Sequence, residues 1–397
     1  MLLALVLAQM AGGFAPNLGP PLPQMHWWEG DIDISPHMNV YDCGSEPPKL
    51  GACRLSPNIT PQEAEAKLAG NDTAWWREND QFVVVAKRDG GDVEMCCAVR
   101  GKMEHLEGDL YAVRVRVANI DEATIDVVVQ PQGKTIGAYR GPDAPRKPVL
   151  SDPLKGKLEQ FVANSHVLDN PRNVTVYLPP GYDPRQTYPV VYTADGLFRQ
   201  DDPKAVETLI INGELPPMII VMVWPGASHK DRELRSREYL YGWPNNSGSY
   251  FLKHETFLIK ELMPAIQKRY SVSSLPQDRL INGFSSGASW AVSMGARHPD
   301  LFPYVSASSI GWPGAEKGLD QPSPTHFFLT AGTMEPDFYK ETLKVADIAR
   351  ASGHEVVLRT EVSGHTNSIF REMFLLSLKW WTAHRDADAK KLSASAP

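Results

Sequence analysis

Hydrophobic and polar positions alternate early in the chain and cluster into continuous apolar runs later. Short period-two runs at 81–87 (QFVVVAK), 93–99 (VEMCCAV), 111–117 (YAVRVRV) and 123–130 (ATIDVVVQ) are separated by Gly, Asp and Asn. This pattern predicts strands with one buried face, assembled as a small antiparallel β-sandwich. From residue 156 onward apolar runs such as MIIVMVW at 218–224 are separated by amphipathic stretches. Strands are expected at 173–178, 189–194, 218–224, 279–284, 305–309, 325–331 and 354–361, and helices at 203–212, 251–270, 286–297, 339–352 and 368–384. Continuous apolar strands belong to a mostly parallel sheet with helices on both faces, an α/β fold.

The same reading divides the chain. Residues 1–24 form a leader, whose apolar run MLLALVLA ends in small residues as an export signal does. Residues 25–132 form the β-sandwich domain, 133–155 a linker rich in Gly, Pro, Lys and Arg, 156–385 the α/β domain and 386–397 a polar tail expected to be disordered. No later stretch reaches the ~20 apolar residues that span a bilayer.

Composition narrows the functional classes. Hydrophobic residues at 42% and charged residues at 22% of the 397 describe a folded chain. Lys+Arg 40 against Asp+Glu 47, a net charge of -7, argues against a general nucleic-acid or anionic-membrane binder. The four cysteines, Cys43, Cys53, Cys96 and Cys97, read as structural staples of an oxidising compartment. A bond between Cys96 and Cys97 is disfavoured, because neighbours in a strand point to opposite faces. Gly133-Lys134-Thr135 resembles the end of a phosphate-binding loop, but Val128 stands where its first glycine is needed. Neither a zinc-protease nor a dinucleotide motif is present, so neither metal nor organic cofactor is implied. Trp27, Trp28, Trp75 and Trp76 could bind a glycan or aromatic ligand, although Trp more often packs a core or an edge.

The chemistry concentrates at Gly283-Phe284-Ser285-Ser286-Gly287, where an expected strand runs into an expected helix. A G-x-S-x-G at such a junction is a nucleophile elbow, its glycines permitting the tight turn that exposes the Ser285 hydroxyl. A serine nucleophile needs a base, and the base needs an orienting carboxylate. His365, in the loop between a late strand and the last helix, is the expected base. Glu335, just after the strand at 325–331, is the expected acid, with Asp337 as the alternative. The order Ser285, Glu335, His365 is that of the α/β-hydrolases. Backbone N–H groups of Leu197 and Ser286 are the expected oxyanion donors.

At these residues the chain resembles the esterase branch of the α/β-hydrolases, which includes enterochelin esterases, feruloyl and acetyl-xylan esterases, S-formylglutathione hydrolases and mycolyltransferases. The segments carrying the resemblance are NVTVYLPPGYDPRQTYPVVYTADG, GFSSGASWAVSMGARHPDLFPYVSASS and FFLTAGTMEPDFYKETLKVADIARASGHEVVLRTEVSGH. The resemblance implies an α/β-hydrolase fold and a serine carboxylic-ester hydrolase of the enterochelin (siderophore) esterase type, and the apolar leader with the cysteines makes it periplasmic or secreted. It implies a small-molecule or glycan ester as partner, and an N-terminal domain like that of enterochelin esterases. It further implies Trp312 as a pocket wall and Trp243 and Arg235 as substrate contacts. Family members often carry Trp four to five residues after the histidine, where this chain has Ile369 and Phe370. The alternatives are a feruloyl or acetyl-xylan carbohydrate esterase, an acyltransferase, and a non-catalytic binding module on the same scaffold.

Overall fold

The computed structural model describes residues 14–16, 40–131, 135–226, 234–243, 249–311, 315, 318–319 and 325–394. The apolar run at 1–8, Trp27, Trp28 and Trp312 lie outside the described residues. Nine strands form the large sheet, in the order Phe14–Pro16, Lys157–Ala163, Arg172–Leu178, Ile219–Val223, Val190–Thr193, Arg279–Phe284, Tyr304–Ser308, His326–Gly332 and Glu355–Glu361. The first three pairings are antiparallel, and from Ile219–Val223 onward every pairing is parallel. Alternate strand residues face different layers. Val190 and Tyr192 join Trp290 and Val345 on one face, while Val191 joins Phe374, Leu378 and Trp381 on the other. Helices Ser286–Arg297 and Pro336–Ala351 cover the first face, and Asp202–Ile211 and Asn367–Ala394 the second. The α/β layering expected from the apolar runs is therefore present, and its seven strands stand within one residue of their expected ends. Among the described residues no helix is long and apolar enough to cross a membrane.

Several elements depart from expectation for identifiable reasons. Lys157–Ala163 is an additional strand whose first residues are largely exposed, so no apolar run marks it. The expected helix at 251–270 is three pieces, Ser249–Thr256, a wide π-helical turn at Phe257–Leu262, and Met263–Arg269, whose second residue is Pro264. The last helix runs to Ala394, through the segment expected to be a disordered tail. Ala, Lys and Arg are strong helix formers, so polarity alone did not end it.

Ahead of this unit, a six-stranded and a four-stranded sheet share one apolar core. The larger is ordered Tyr41–Asp42, Ala52–Leu55, Leu110–Val117, Gln81–Lys87 and Thr73–Glu78, with Glu104–Glu107 also paired to Leu110–Val117. The smaller is ordered Thr135–Arg140, Thr124–Gln130, Glu94–Cys97 and Gly101–Lys102. Phe82, Val84 and Val113 of the first meet Met95, Ile125 and Val127 of the second. Thr135–Arg140 corrects the expected linker, since it pairs with Thr124–Gln130 and extends the four-stranded sheet past residue 132. It is an edge strand with exposed or half-buried side chains, and therefore carries no hydrophobic alternation. Helix Pro61–Leu68 was also missed, although Thr60 and Glu63 form a capping box that the T-x-x-E spacing announces. Trp75 packs on the shared core, and Trp76 lies over a smaller cluster beneath Lys67.

Both disulfides lie in this N-terminal unit. Cys43 is bonded to Cys53, ten residues on. Cys96 is bonded to Cys97, contrary to the expectation from strand alternation. That expectation assumed a trans peptide, whereas the Cys96-Cys97 peptide is cis and its Cα atoms stand 3.1 Å apart.

Candidate active site

The strand Arg279–Phe284 is buried along its whole length and ends at Ser285, whose φ of 56° and ψ of -129° form a sharp turn. A non-glycine residue held at positive φ is strained, and such strain clusters at functional sites. The turn is held by the Ser285 N–H, which donates to Ser308 O at 2.9 Å. Gly283 and Gly287 cross so closely that a Cβ on Gly283 would collide with the Gly287 carbonyl. A Cβ on Gly287 would lie 2.8 Å from Asp195 Oδ2. Both glycines of the motif are thus required by packing. Ser286 opens the helix, where its N–H has no intrahelical acceptor.

The adjacent parallel strand, Val190–Thr193, leads into Asp195, which has a φ of 60°. The one-turn helix Gly196–Phe198 follows, closed by the Phe198 N–H donating to Asp195 O at 2.9 Å. Leu197 occupies its middle position, where the N–H has no acceptor within the turn. The Asp195 side chain is fully buried and receives two hydrogen bonds from Arg235, Nε to Oδ1 at 2.7 Å and Nη2 to Oδ2 at 2.8 Å. Tyr239 Oη accepts from the Asp195 N–H at 3.3 Å. Arg235, implied by the resemblance as a substrate contact, is a buried partner of Asp195. It sits in helix Leu234–Tyr239, buried, with its planar fork on a carboxylate beneath the elbow. Sequence reading missed the partnership because the two residues are separated by 40 positions. Trp243 is buried in the turn that follows the same helix, its N–H donating to Leu240 O at 3.2 Å.

Glu335 precedes helix Pro336–Ala351 and is 1% exposed. Its Oε2 lies 2.6 Å from His365 Nδ1. Its Oε1 accepts from the Gly332 N–H at 2.7 Å and from the Ser309 hydroxyl. With both oxygens engaged, the carboxylate has a single orientation toward the imidazole. A proton on Nδ1 is the arrangement a carboxylate at that atom favours, leaving Nε2 to act as an acceptor. Asp337 lies in the first turn of the following helix and pairs with Lys340 at 3.6 Å.

The His365 ring is packed between Phe338, at 4.3 Å between centroids, and the edge-on Phe370, at 5.0 Å. Phe370 in turn stacks on Phe284, the residue before Ser285, at 4.5 Å. Gly311 completes the link, since a Cβ there would lie 2.6 Å from Phe338 and 3.5 Å from the Ser285 carbonyl carbon. Glu335 and His365 are thus in direct contact, and Phe370 links His365 to Phe284, the residue before Ser285.

A family model described as "Putative esterase" matches residues 165–369, just over half of the chain and all three of these residues. The chain belongs to the esterase family. It is an ester-hydrolysing enzyme. Among curated proteins, the endo-1,4-beta-xylanase/feruloyl esterase of Xylanibacter ruminicola is 24% identical over 194 residues, 45% of this esterase and 25% of that protein. The match therefore spans a quarter of that relative's length. The uncharacterized protein YbbA of Bacillus subtilis is 23% identical over 259 residues, 57% of this esterase and 96% of YbbA. Among solved structures, the enterobactin esterase FES of Shigella flexneri, in the presence of enterobactin, superposes with a TM-score of 0.62 at 16% identity. The superposition covers 80% of this esterase and 97% of FES, and so extends beyond the large-sheet unit. The ferric enterobactin esterase of Salmonella typhimurium gives a TM-score of 0.61 at 16% identity, covering 81% and 100% of the two chains. At such identities the likeness is one of fold.

Proposed function

We propose that this esterase is a serine carboxylic-ester hydrolase in which Ser285, His365 and Glu335 act as nucleophile, base and orienting acid. The observation that carries the reading is the 2.6 Å contact between Glu335 Oε2 and His365 Nδ1, with Phe370 bridging His365 to Phe284 beside the strained turn at Ser285. His365 Nε2 takes the proton as Ser285 Oγ attacks the ester carbonyl, and the N–H groups of Leu197 and Ser286 hold the oxyanion. His365 returns the proton to the departing alcohol, and water repeats the sequence on the acyl-enzyme. In this reading the N-terminal two-sheet unit is a β-sandwich domain, and the enzyme works outside the cytoplasm, as two disulfides in one small unit favour.

The preferred substrate is a siderophore ester of the enterobactin type. The support is the likeness in fold to enterobactin esterases, which takes in the N-terminal unit as well. A second reading, a feruloyl ester on a polysaccharide, is favoured by the match to the Xylanibacter enzyme. Hydrolysis of p-nitrophenyl acetate and butyrate by wild type and Ser285→Ala tests the chemistry. The wild type turns them over and the folded variant does not, and equal rates would overturn the assignment of Ser285. Release of acid from enterobactin, set against release of ferulate from feruloylated xylan, then decides between the substrates.

A further inference from the structure

The loops carrying Glu335 and His365 belong to the large-sheet unit, yet the N-terminal unit grips both. The Thr124 N–H donates to Val362 O at 2.9 Å, and Ser363 Oγ donates back to Thr124 O at 2.9 Å. The His365 N–H donates to Cys97 O at 3.1 Å. Gly364 lies so close to Ala98 that a Cβ would collide with its carbonyl, and Gly51 meets the Thr333 carbonyl of the acid loop in the same way. Met334 and Val362 are buried in the apolar core of the N-terminal unit. The loops are also tied to each other, the Met334 N–H donating to Ser363 O at 2.9 Å.

The disulfide at the centre of this contact is of an unusual kind. A cross-link stabilises mainly by closing a loop in the unfolded chain, and the effect grows with loop length. Cys43–Cys53 spans ten residues and can act in that way. Cys96–Cys97 joins neighbours and encloses no loop, so its effect must be local. The small ring it closes restricts the backbone from which the Cys97 carbonyl projects, and that carbonyl holds the His365 backbone.

We propose that the Cys96–Cys97 pair is a positioning element for the catalytic base. It presents the Cys97 carbonyl to the His365 N–H, so that the loop at 363–366 enters each turnover with its imidazole already aligned between Ser285 and Glu335. The proposal rests on the reading of His365 as the base. Alignment of this kind acts on the chemical step, where a displacement of about 1 Å can cost ~100-fold in rate.

The test compares full-length Cys96→Ser/Cys97→Ser with wild type, Ser285→Ala and Thr60→Ala on p-nitrophenyl butyrate. Thr60→Ala removes a helix cap in the same unit, away from either loop, and serves as a destabilised control. The double variant is expected to lose roughly 10- to 100-fold in kcat with KM within about 2-fold, and to shift the acid limb of its kcat/KM pH profile. Thr60→Ala keeps the wild-type kcat and profile. Should the double variant fail to fold, Ser363→Ala removes only the hydroxyl tie to Thr124 O and is expected to give the same profile shift with a loss of a few fold. Unchanged kcat and profile in the folded variant, or an equal loss in Thr60→Ala, overturns the positioning role. Activity that persists in Ser285→Ala instead overturns the serine-hydrolase reading itself, so the two failures are told apart.

Discussion

The Ser285 side of the candidate site is built within one structural unit, whereas the Glu335 and His365 side is assembled from two. Ser285 and the Asp195–Leu197 loop follow adjacent parallel strands, and their support, the Asp195–Arg235 pair, lies directly beneath them. Glu335 and His365 follow the outer strands His326–Gly332 and Glu355–Glu361, and the N-terminal unit hydrogen-bonds their loops across as many as 268 residues of sequence, from Cys97 to His365. The first side is rigid because its own backbone leaves no room, with Gly283 against Gly287 and Gly287 against Asp195. The second adds to its own contacts hydrogen bonds from the N-terminal unit. A lesion in the Asp195–Arg235 support beneath Ser285 should therefore act through local stability, and one in the groups that orient His365 through the chemical step.

The sharpest test of that contrast is Glu335→Gln, which keeps the shape of the side chain and an acceptor for the Gly332 N–H but removes the charge facing His365. By analogy with a triad aspartate changed to asparagine, kcat should fall by about 10³- to 10⁴-fold with the fold intact. Asp337→Asn, whose carboxylate pairs with Lys340, should change kcat by less than about 2-fold. Steady-state kinetics on a p-nitrophenyl ester measure both. A large loss in Asp337→Asn with little in Glu335→Gln would break the comparison, because the acid side would then be centred elsewhere.

On the other side, Arg235→Met leaves the Asp195 carboxylate buried without its partner. Removing one member of a buried pair costs about 3–5 kcal/mol, and urea unfolding at neutral pH should show a loss of that size. Adding Asp195→Asn removes the uncompensated charge and should recover part of it. A loss below about 1 kcal/mol in Arg235→Met would mean that backbone packing alone supports the loop Asp195–Leu197.

The same division explains what could be read from the sequence. GFSSG lies at the junction of a buried strand and a buried helix, so pattern and motif agree on one turn, and the structure has that turn. Position after a strand was enough to nominate Glu335 and His365. Their surroundings were not legible, because they depend on long-range contacts that leave no local trace. The Cys97 carbonyl is a backbone group, and Arg235 looked like any loop arginine until the fold brought Asp195 beneath it. Thr135–Arg140 was hidden for another reason: an edge strand need not bury a face, and periodicity reports only burial. Phe370 stands in the region where family members often carry Trp, and it packs edge-on against His365, a contact visible only once the ring positions are known.

Acid should separate the two sides by a smaller effect. Burial would raise the pKa of Glu255, but hydrogen bonds from His298 at 2.8 Å and Arg297 at 2.6 Å, at the end of the elbow helix, outweigh it and bring the value to about 2. A carboxylate held below its unfolded value of 4.5 contributes stability that is complete above that value and is lost as the pH falls toward 2. Glu361 and Glu372, next to the base and acid loops, shift the other way: burial raises both above the ordinary range, against the opposing influence of Arg359 on the first and Arg140 on the second. Their ionisation costs stability as the pH rises through and above the ordinary carboxylate range. Glu255→Gln should therefore flatten the acid limb of a stability profile, by about 1–2 kcal/mol once partial exposure is allowed for. Glu361→Gln should raise stability at neutral pH and lose that gain as the medium is acidified. Urea unfolding at a series of pH values between 2 and 7 measures both, and two variants with the same slope would show that the sides do not differ in this respect.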